Sequence, residues 1–354
     1  MLDLGQLIIT GISGLALTVE EKEFIESESI GGVILFSHNF DDPAQLAELV
    51  NSIQVLRKNY PLFISVDHEG GRVIRFKKHF TQFPAMYNIS SLDSPKLCYQ
   101  IHAIMAEELS ACGVNLNFSP CCDIFNNPLN KVIGDRSFGV DEKTVSKFIS
   151  SAIRGLQTEG ILACAKHFPG HGGTEIDSHD SLPVLKRDLK ELNQQELKPF
   201  IKAAKSRVEL IMMSHIIVEA IDTKRPCSLS DKCYRYLRDS LKYDNLIITD
   251  DMQMGAIIND YSIEESAVLA IKAGADIVMY RDFNNSKKAL SAIQKAVKTK
   301  EINNAVIKEK ISRINKCKKE NLSAFKPIYI PDVAKKINKK STQSLLEDIN
   351  KLLN

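Results

Sequence analysis

Residues 166–180 read Lys-His-Phe-Pro-Gly-His-Gly-Gly-Thr-Glu-Ile-Asp-Ser-His-Asp, with three histidines, one lysine, one glutamate and two aspartates. Pro169 and the glycines at 170, 172 and 173 forbid a continuing helix and permit backbone angles that other residues resist. The stretch follows an apolar run at 161–165 that reads as a strand, so it begins where a strand ends. So many ionisable groups with so little apolar content favour chemistry over stability. Catalytic groups concentrate on loops held by rigid strands.

The elements that must hold this loop alternate along the chain. Strand-like apolar runs lie at 7–10, 33–36, 62–66, 114–118, 161–165, 208–213, 246–249 and 275–279. Helix signals fall between them. Thr18 with Glu21 and Ser262 with Glu265 read as capping boxes, and Asp42-Pro43 and Ser94-Pro95 as helix starts. Further helices are expected at 141–159, where Gly160 ends the run, and at 191–205, with Ser230 opening another. Eight strands alternating with helices predict an α/β protein built as a (β/α)8 TIM barrel, with a doubly wound open sheet as the alternative. The runs are continuously apolar, as suits strands covered on both faces. Residues 1–300 are assigned to the catalytic barrel. Residues 301–354, rich in Lys and Asn, are assigned to a C-terminal helical extension that packs on the barrel and keeps a solvated basic face.

In such barrels the site lies at the C-terminal ends of the strands, and polar residues collect there. His38 and Asn39 follow the second run, and Asp67, His68, Glu69, Arg72 and Arg75 the third. Asn117, Asp123 and Arg136 follow the fourth, Lys166 and His167 the fifth, Ser214 and His215 the sixth, and Asp250 and Asp251 the seventh. Singly, His38, His68, Asn117 or His215 reads as well as a satisfied core group. Together the set predicts one polar pocket for a ligand with many hydroxyls.

Three chemistries use these residue types. Metal-assisted hydrolysis would draw on His167 and His171, but Pro169 and Gly170 break the helix that this spacing requires; Asp177, His179 and Asp180 remain as candidate ligands. Phosphate chemistry lacks a Walker loop or a dinucleotide glycine fingerprint. Glycosyl transfer fits Asp250 as a nucleophile at a strand end. His179 would protonate the leaving oxygen, kept charged by Asp177 two residues earlier.

The motifs Asp67-His-Glu-Gly-Gly-Arg-Val-Ile-Arg75, Asn115-Leu-Asn-Phe-Ser-Pro120, Ile133-Gly-Asp-Arg-Ser-Phe-Gly139, Lys166-His-Phe-Pro-Gly-His-Gly172, Asp177-Ser-His179 and Ile248-Thr-Asp-Asp251 carry a resemblance. Over roughly residues 3–285 the chain resembles the bacterial β-N-acetylglucosaminidases of glycoside hydrolase family 3, the single-barrel peptidoglycan-recycling type. The resemblance implies Asp250 as the nucleophile of a covalent glycosyl-enzyme and His179 as general acid and base, oriented by Asp177. It implies Asp67, Arg75, Arg136, Lys166 and His167 as the residues that bind terminal N-acetylglucosamine, and no cofactor or metal. The implied substrate is a muropeptide-derived disaccharide, with a phosphorylase, another β-glycosidase or a metal hydrolase as alternatives. His38 stands where these enzymes carry Arg, and Met252-Gln253-Met254 departs mildly from the common sequence after the nucleophile. The extra C-terminal domain of some relatives is not expected, so one barrel must supply the whole site.

Composition bounds the rest. The chain has 354 residues, 44% of them hydrophobic, and a net charge of +2. This is core enough for a large domain and gives no bulk electrostatic sign of nucleic-acid binding. The eight cysteines are scattered with no CxxC pair or metal-ligand spacing, which suits reduced, buried thiols. The N-terminal segment has no basic start or small-residue cleavage site, and no apolar run reaches spanning length. A soluble, cytoplasmic monomer acting on a small carbohydrate, without nucleic-acid or membrane partners, is the expectation.

Overall fold

The eight continuously apolar runs pair edge to edge, and each buries one face in the barrel interior and the other under a helical layer. A computed structural model describes residues 2–174, 177, 178, 181–322 and 325–354. The strands are β1 (Ile8–Thr10), β2 (Gly32–Leu35), β3 (Phe63–Val66), β4 (Leu116–Asn117), β5 (Leu162–Phe168), β6 (Leu210–Met213), β7 (Leu246–Asp251) and β8 (Ile277–Tyr280). They form a closed parallel barrel in chain order, with β8 returning to β1 through Ile8–Val278, Ile9–Met279 and Thr10–Tyr280. Closure decides for the TIM barrel over the open sheet.

Two strands outrun the expected limits, and both matter for the site. β5 continues through Lys166 and His167 to Phe168, and β7 continues through Asp250 to Asp251. In each, the register breaks near its C-terminal end, between Ala165 and Phe168 of β5 and between Ile248 and Asp251 of β7. Such irregularities re-aim side chains at barrel rims. A short parallel pair, Val184–Leu185 with Ile217–Val218, ties the far side of the 166–180 stretch to the segment after β6.

The helices start where the capping residues predict. Thr18 and Glu21 form the reciprocal box of helix Val19–Ser27, and Asp42 accepts from Ala44 N and Gln45 N ahead of Pro43–Gln54. Asp141 caps Glu142–Thr158, which lies against Pro95–Ala111. Ser262 Oγ accepts from Glu265 N. The helix expected at 191–205 is broken in two, Leu189–Gln194 and Leu197–Lys205, because Gln195 leaves the helical region at φ −118°, ψ −86°.

The chain after 300 closes the end of the barrel opposite the polar strand ends. From helix Asn304–Asn321, Lys318 Nζ donates to Gly31 O and Gln6 Oε1, and Lys310 Nζ to Ala275 O, each acceptor lying just before a barrel strand. Arg313 pairs with buried Asp276 at 3.0 Å. The basic face expected to be solvated is therefore partly buried: Lys310 and Lys318 are 2% and 1% exposed. Lys318 Nζ thus adds a second donor to Gly31 O, which also accepts from Phe63 N at 3.1 Å. Among the described residues, no helix is long and apolar enough to cross a membrane.

Candidate active site

The C-terminal strand ends open into a cleft of about 350 Å³, within the range of small-ligand sites. Asp67, Arg72, Arg75, Arg136, Lys166, His167, Asp177, Ser178, Asp250, Asp251 and Arg281 line it, with Ile34, Phe36, Met212, Met254 and Met279 as apolar wall. Seven of the eight residues assigned from sequence to catalysis or sugar binding thus meet at one cleft. The eighth, His179, lies outside the described residues.

One side of the cleft is an ion-pair relay. Lys166 Nζ lies 2.7 Å from Asp67 Oδ1 and 2.5 Å from Glu69 Oε1. Arg136 grips Glu69 with both arms, Nε to Oε2 at 2.9 Å and NH2 to Oε1 at 2.8 Å. Arg75 NH2 reaches Asp67 Oδ2 at 3.1 Å, with its guanidinium 5.8 Å from the Phe36 ring centre. Burial pushes the Asp67 carboxyl up, but Lys166 and Arg75 outweigh it and bring the pKa to about 2. Glu69 is likewise held below the ordinary carboxylate range by Arg136 and Lys166, against burial. The same partners hold Lys166 charged, above the usual lysine value despite its burial. Charged donors and acceptors therefore stand fixed at one wall, ready for hydroxyls.

Sequence places Glu69 at the strand ends, in the same motif as Asp67, but gives it no role. Asp123 is a second such residue. Fully buried, it accepts from His167 Nδ1 at 2.6 Å, from His171 N at 2.7 Å and from His167 N at 3.2 Å. Arg136 NH2 can only donate, so His167 Nε2, 3.4 Å away, is the accepting nitrogen and Nδ1 carries the proton to Asp123. Cys121 Sγ also donates to Asp123 Oδ2, at 3.2 Å. Cys121, Asp123 and His167 bring potential metal-ligand atoms within 4.8 Å of one another, a grouping the linear spacing does not reveal. Its oxygens already serve these donors, so the cluster acts as an anchor for His167.

The first half of the 166–180 stretch is not the hydrophilic loop its composition suggests. His167 and His171 are 6% and 2% exposed, and Thr174 is 1% exposed. Asp123 and Asn130 take up the polar groups, Asn130 Nδ2 donating to His171 O at 2.8 Å. Gly170 adopts φ +131°, and a Cβ on Gly172 would fall 1.7 Å from Ile124 O, so the path requires glycine at both positions. His167 and His171 do not share a helix face; their rings meet edge to face at 6.1 Å.

On β7 the two adjacent acids differ. Asp250 accepts from Asp251 N at 2.8 Å. Burial would raise its pKa, but the His167 and His215 imidazoles, that N–H and Lys166 together lower it. Asp251 is raised by burial, with Arg281 opposing as its ion-pair partner. It also accepts from Gln253 N at 3.1 Å. Asp250 is thus the ionised, less encumbered carboxylate, and Asp251 a bracket between the turn after β7 and Arg281 after β8.

Several strand-end residues turn out to be structural. Asn117 clamps the His68 backbone, receiving from His68 N at 3.0 Å and giving to His68 O at 2.8 Å. His215 bridges Ser228 Oγ at 2.7 Å and Asp251 O at 3.0 Å. His38 is exposed, with Nε2 3.0 Å from Ile12 O.

Residues 2–317 match the glycosyl hydrolase family 3 N terminal domain. A protein named β-hexosaminidase from Nitrosomonas eutropha is 36% identical over 299 residues, covering 82% of this chain and 85% of that one. A β-hexosaminidase from Neisseria meningitidis serogroup C is 38% identical over 283 residues, 77% of each chain. The solved structure of a glycoside hydrolase family 3 β-N-acetylglucosaminidase from Paenibacillus sp. str. FPU-7 superposes with a TM-score of 0.93 at 34% identity, over 98% of this chain and 67% of that one. A closed barrel with its charged residues gathered at the mouth, matched over most of its length by these enzymes, places the chain in glycosyl hydrolase family 3, and it is a glycoside hydrolase.

Proposed function

We propose that the protein is a retaining exo-β-N-acetylglucosaminidase that removes terminal N-acetylglucosamine from muropeptide-derived disaccharides, N-acetylglucosaminyl-1,6-anhydro-N-acetylmuramic acid and its peptides. The observation that carries this reading is the ionised Asp250 at the β7 end, in one cleft with Asp177 and the Asp67–Lys166–Glu69–Arg136 relay. The relatives named β-hexosaminidase and β-N-acetylglucosaminidase support the sugar. The free cysteines, seven of the eight buried, suit a reducing compartment and hence cytosolic cell-wall recycling.

In this mechanism Asp67, Arg75, Arg136, Lys166 and His167 hold the sugar hydroxyls. Asp250 attacks the anomeric carbon while His179, kept protonated by Asp177, gives its proton to the departing oxygen. Water then attacks the glycosyl-aspartate with neutral His179 as base, and the β configuration is retained. Retaining enzymes usually employ two carboxylates; here a His–Asp pair replaces the second, and a neutral imidazole adds no like charge beside Asp250.

The test is hydrolysis of an aryl N-acetyl-β-glucosaminide against the plain glucoside, with and without phosphate. Preference for the acetamido sugar, independent of phosphate, is expected; turnover only with phosphate points to a phosphorylase. His179→Ala should lower kcat/KM by about two to four orders of magnitude for a poor leaving group. An activated aryl leaving group, which needs no proton, should be spared. Asp177→Asn removes the charge that stabilises the imidazolium, so the basic limb of the kcat/KM profile should move to lower pH. An unmoved limb takes Asp177 out of the dyad.

A further inference from the structure

Resting on the reading above, we propose that Ser178 and His171 form a latch that holds Asp177 and Ser178 at the barrel mouth, making both positioning residues for the acid–base step. Ser178 is 2% exposed although it stands between residues of the 166–180 stretch that must serve the cleft. Two bonds hold it. Its hydroxyl lies 2.9 Å from His171 Nε2, and its carbonyl accepts from Ala256 N at 3.1 Å. Ala256 belongs to the turn of helix Gly255–Ile258, which directly follows β7 and Asp250. The latch therefore ties the segment carrying Asp177 to the strand carrying the proposed nucleophile.

The polarity of the side-chain bond follows from its neighbours. Thr174 Oγ1 donates to His171 O at 2.9 Å, so towards His171 Nδ1, also 2.9 Å away, it can only accept. The ring proton is then on Nδ1, and the free lone pair on Nε2 accepts from Ser178. Burial and the facing His167 push His171 down to about 4, against Asp123 and Asp250, so the ring stays neutral in this role at ordinary pH. Its backbone is fixed in turn, His171 N on Asp123 Oδ1 and His171 O on Asn130 Nδ2. Asp123 thereby holds both His167, on the sugar-binding wall, and His171, under the latch.

The test compares wild type, Ser178→Ala, Ser178→Thr and His179→Ala on two aryl N-acetylglucosaminides, one with a poorly acidic phenol and one with a dinitrophenol. Ser178→Ala should lose ~10- to 100-fold in kcat/KM on the poor leaving group, the scale of a misplacement of about 1 Å, and less than about threefold on the good one. Ser178→Thr, which keeps the hydroxyl, should recover most of the loss. Amide exchange at Ala256 should quicken in Ser178→Ala while the β5 and β7 amides stay protected, which separates an open latch from a misfolded barrel. If the wild type cleaves neither glycoside, the glycosidase reading falls and takes the latch with it. If His179→Ala is leaving-group selective but Ser178→Ala loses both substrates alike, loses neither, or leaves Ala256 exchange unchanged, the latch alone is overturned.

Discussion

Asp250 and Asp251 are adjacent carboxylates on one strand, and their surroundings separate them. Asp250 is kept ionised by imidazoles, a backbone N–H and Lys166, whereas Asp251 is spent on Arg281 and the turn after β7. Asp250→Asn should therefore abolish turnover, while Asp251→Asn should retain hydrolysis within roughly tenfold and lose a little thermal stability instead, since it weakens a pair whose Arg281 partner is exposed. Steady-state rates and melting curves of the two variants check this. Glu69 is the corresponding hinge of the ion-pair wall of the cleft. Glu69→Gln leaves Lys166 and Arg136 without their shared carboxylate and should cost about 3 kcal/mol, read by urea unfolding. The acids of this wall also set an acid limit. Asp67 falls from 3.8 to about 2 on folding, so its contribution is complete above about 4 and is lost as pH drops through 2.

At the scale of elements, the site depends on strands that run past the barrel ladder and change register as they leave it. Lys166, His167 and Asp250 all lie within the irregular ends of β5 and β7. β5 is backed from outside by helix Glu142–Thr158, whose Gly155 packs closely on Pro95–Ala111. A Cβ there would lie 2.6 Å from Tyr99 O and 2.7 Å from His102 Cβ. Gly155→Ala gains helix propensity but forces the two helices apart. A net loss of ~1–3 kcal/mol in chemical denaturation is expected; a stabilised variant would show that the pair can part freely.

For the whole molecule, the barrel is closed at one end by chemistry and at the other by buried lysines. Lys318 lies 4.7 Å from the Phe63 ring centre, and burial lowers its pKa from 10.5 to about 7, with Cys317 opposing. Lys310 is lowered by burial to about 8, with Asp276 opposing. Between pH 7 and 10.5 the unfolded chain binds the Lys318 proton and the folded protein does not, so stability should rise with pH through that window. The slope is at most about 1.4 kcal/mol per pH unit for one group. Below pH 7 both states hold the proton and the slope from this residue vanishes. Melting temperature against pH for wild type and Lys318→Met, which cannot titrate, reads the difference: the variant should show the flatter rise.

The sequence by itself determined the eight apolar strands, the capped helices between them and the chemistry-bearing motifs at the strand ends. These are local properties, written in periodicity, in capping residues such as Thr18 and Asp141, and in glycines that only one path tolerates. It also carried the resemblance that named Asp250, Asp177 and the residues proposed to bind the sugar, because motif residues keep their order along the chain. Only the tertiary structure decided that the sheet closes, that Glu69 joins Lys166 to Arg136, and that Asp123 holds His167 and His171 together. It also turned two lysines of an apparently solvated tail into buried donors beneath the barrel. Each of these is a pairing between residues far apart in sequence. Its energy depends on burial and on which partner arrives, and neither is written in the residue types alone.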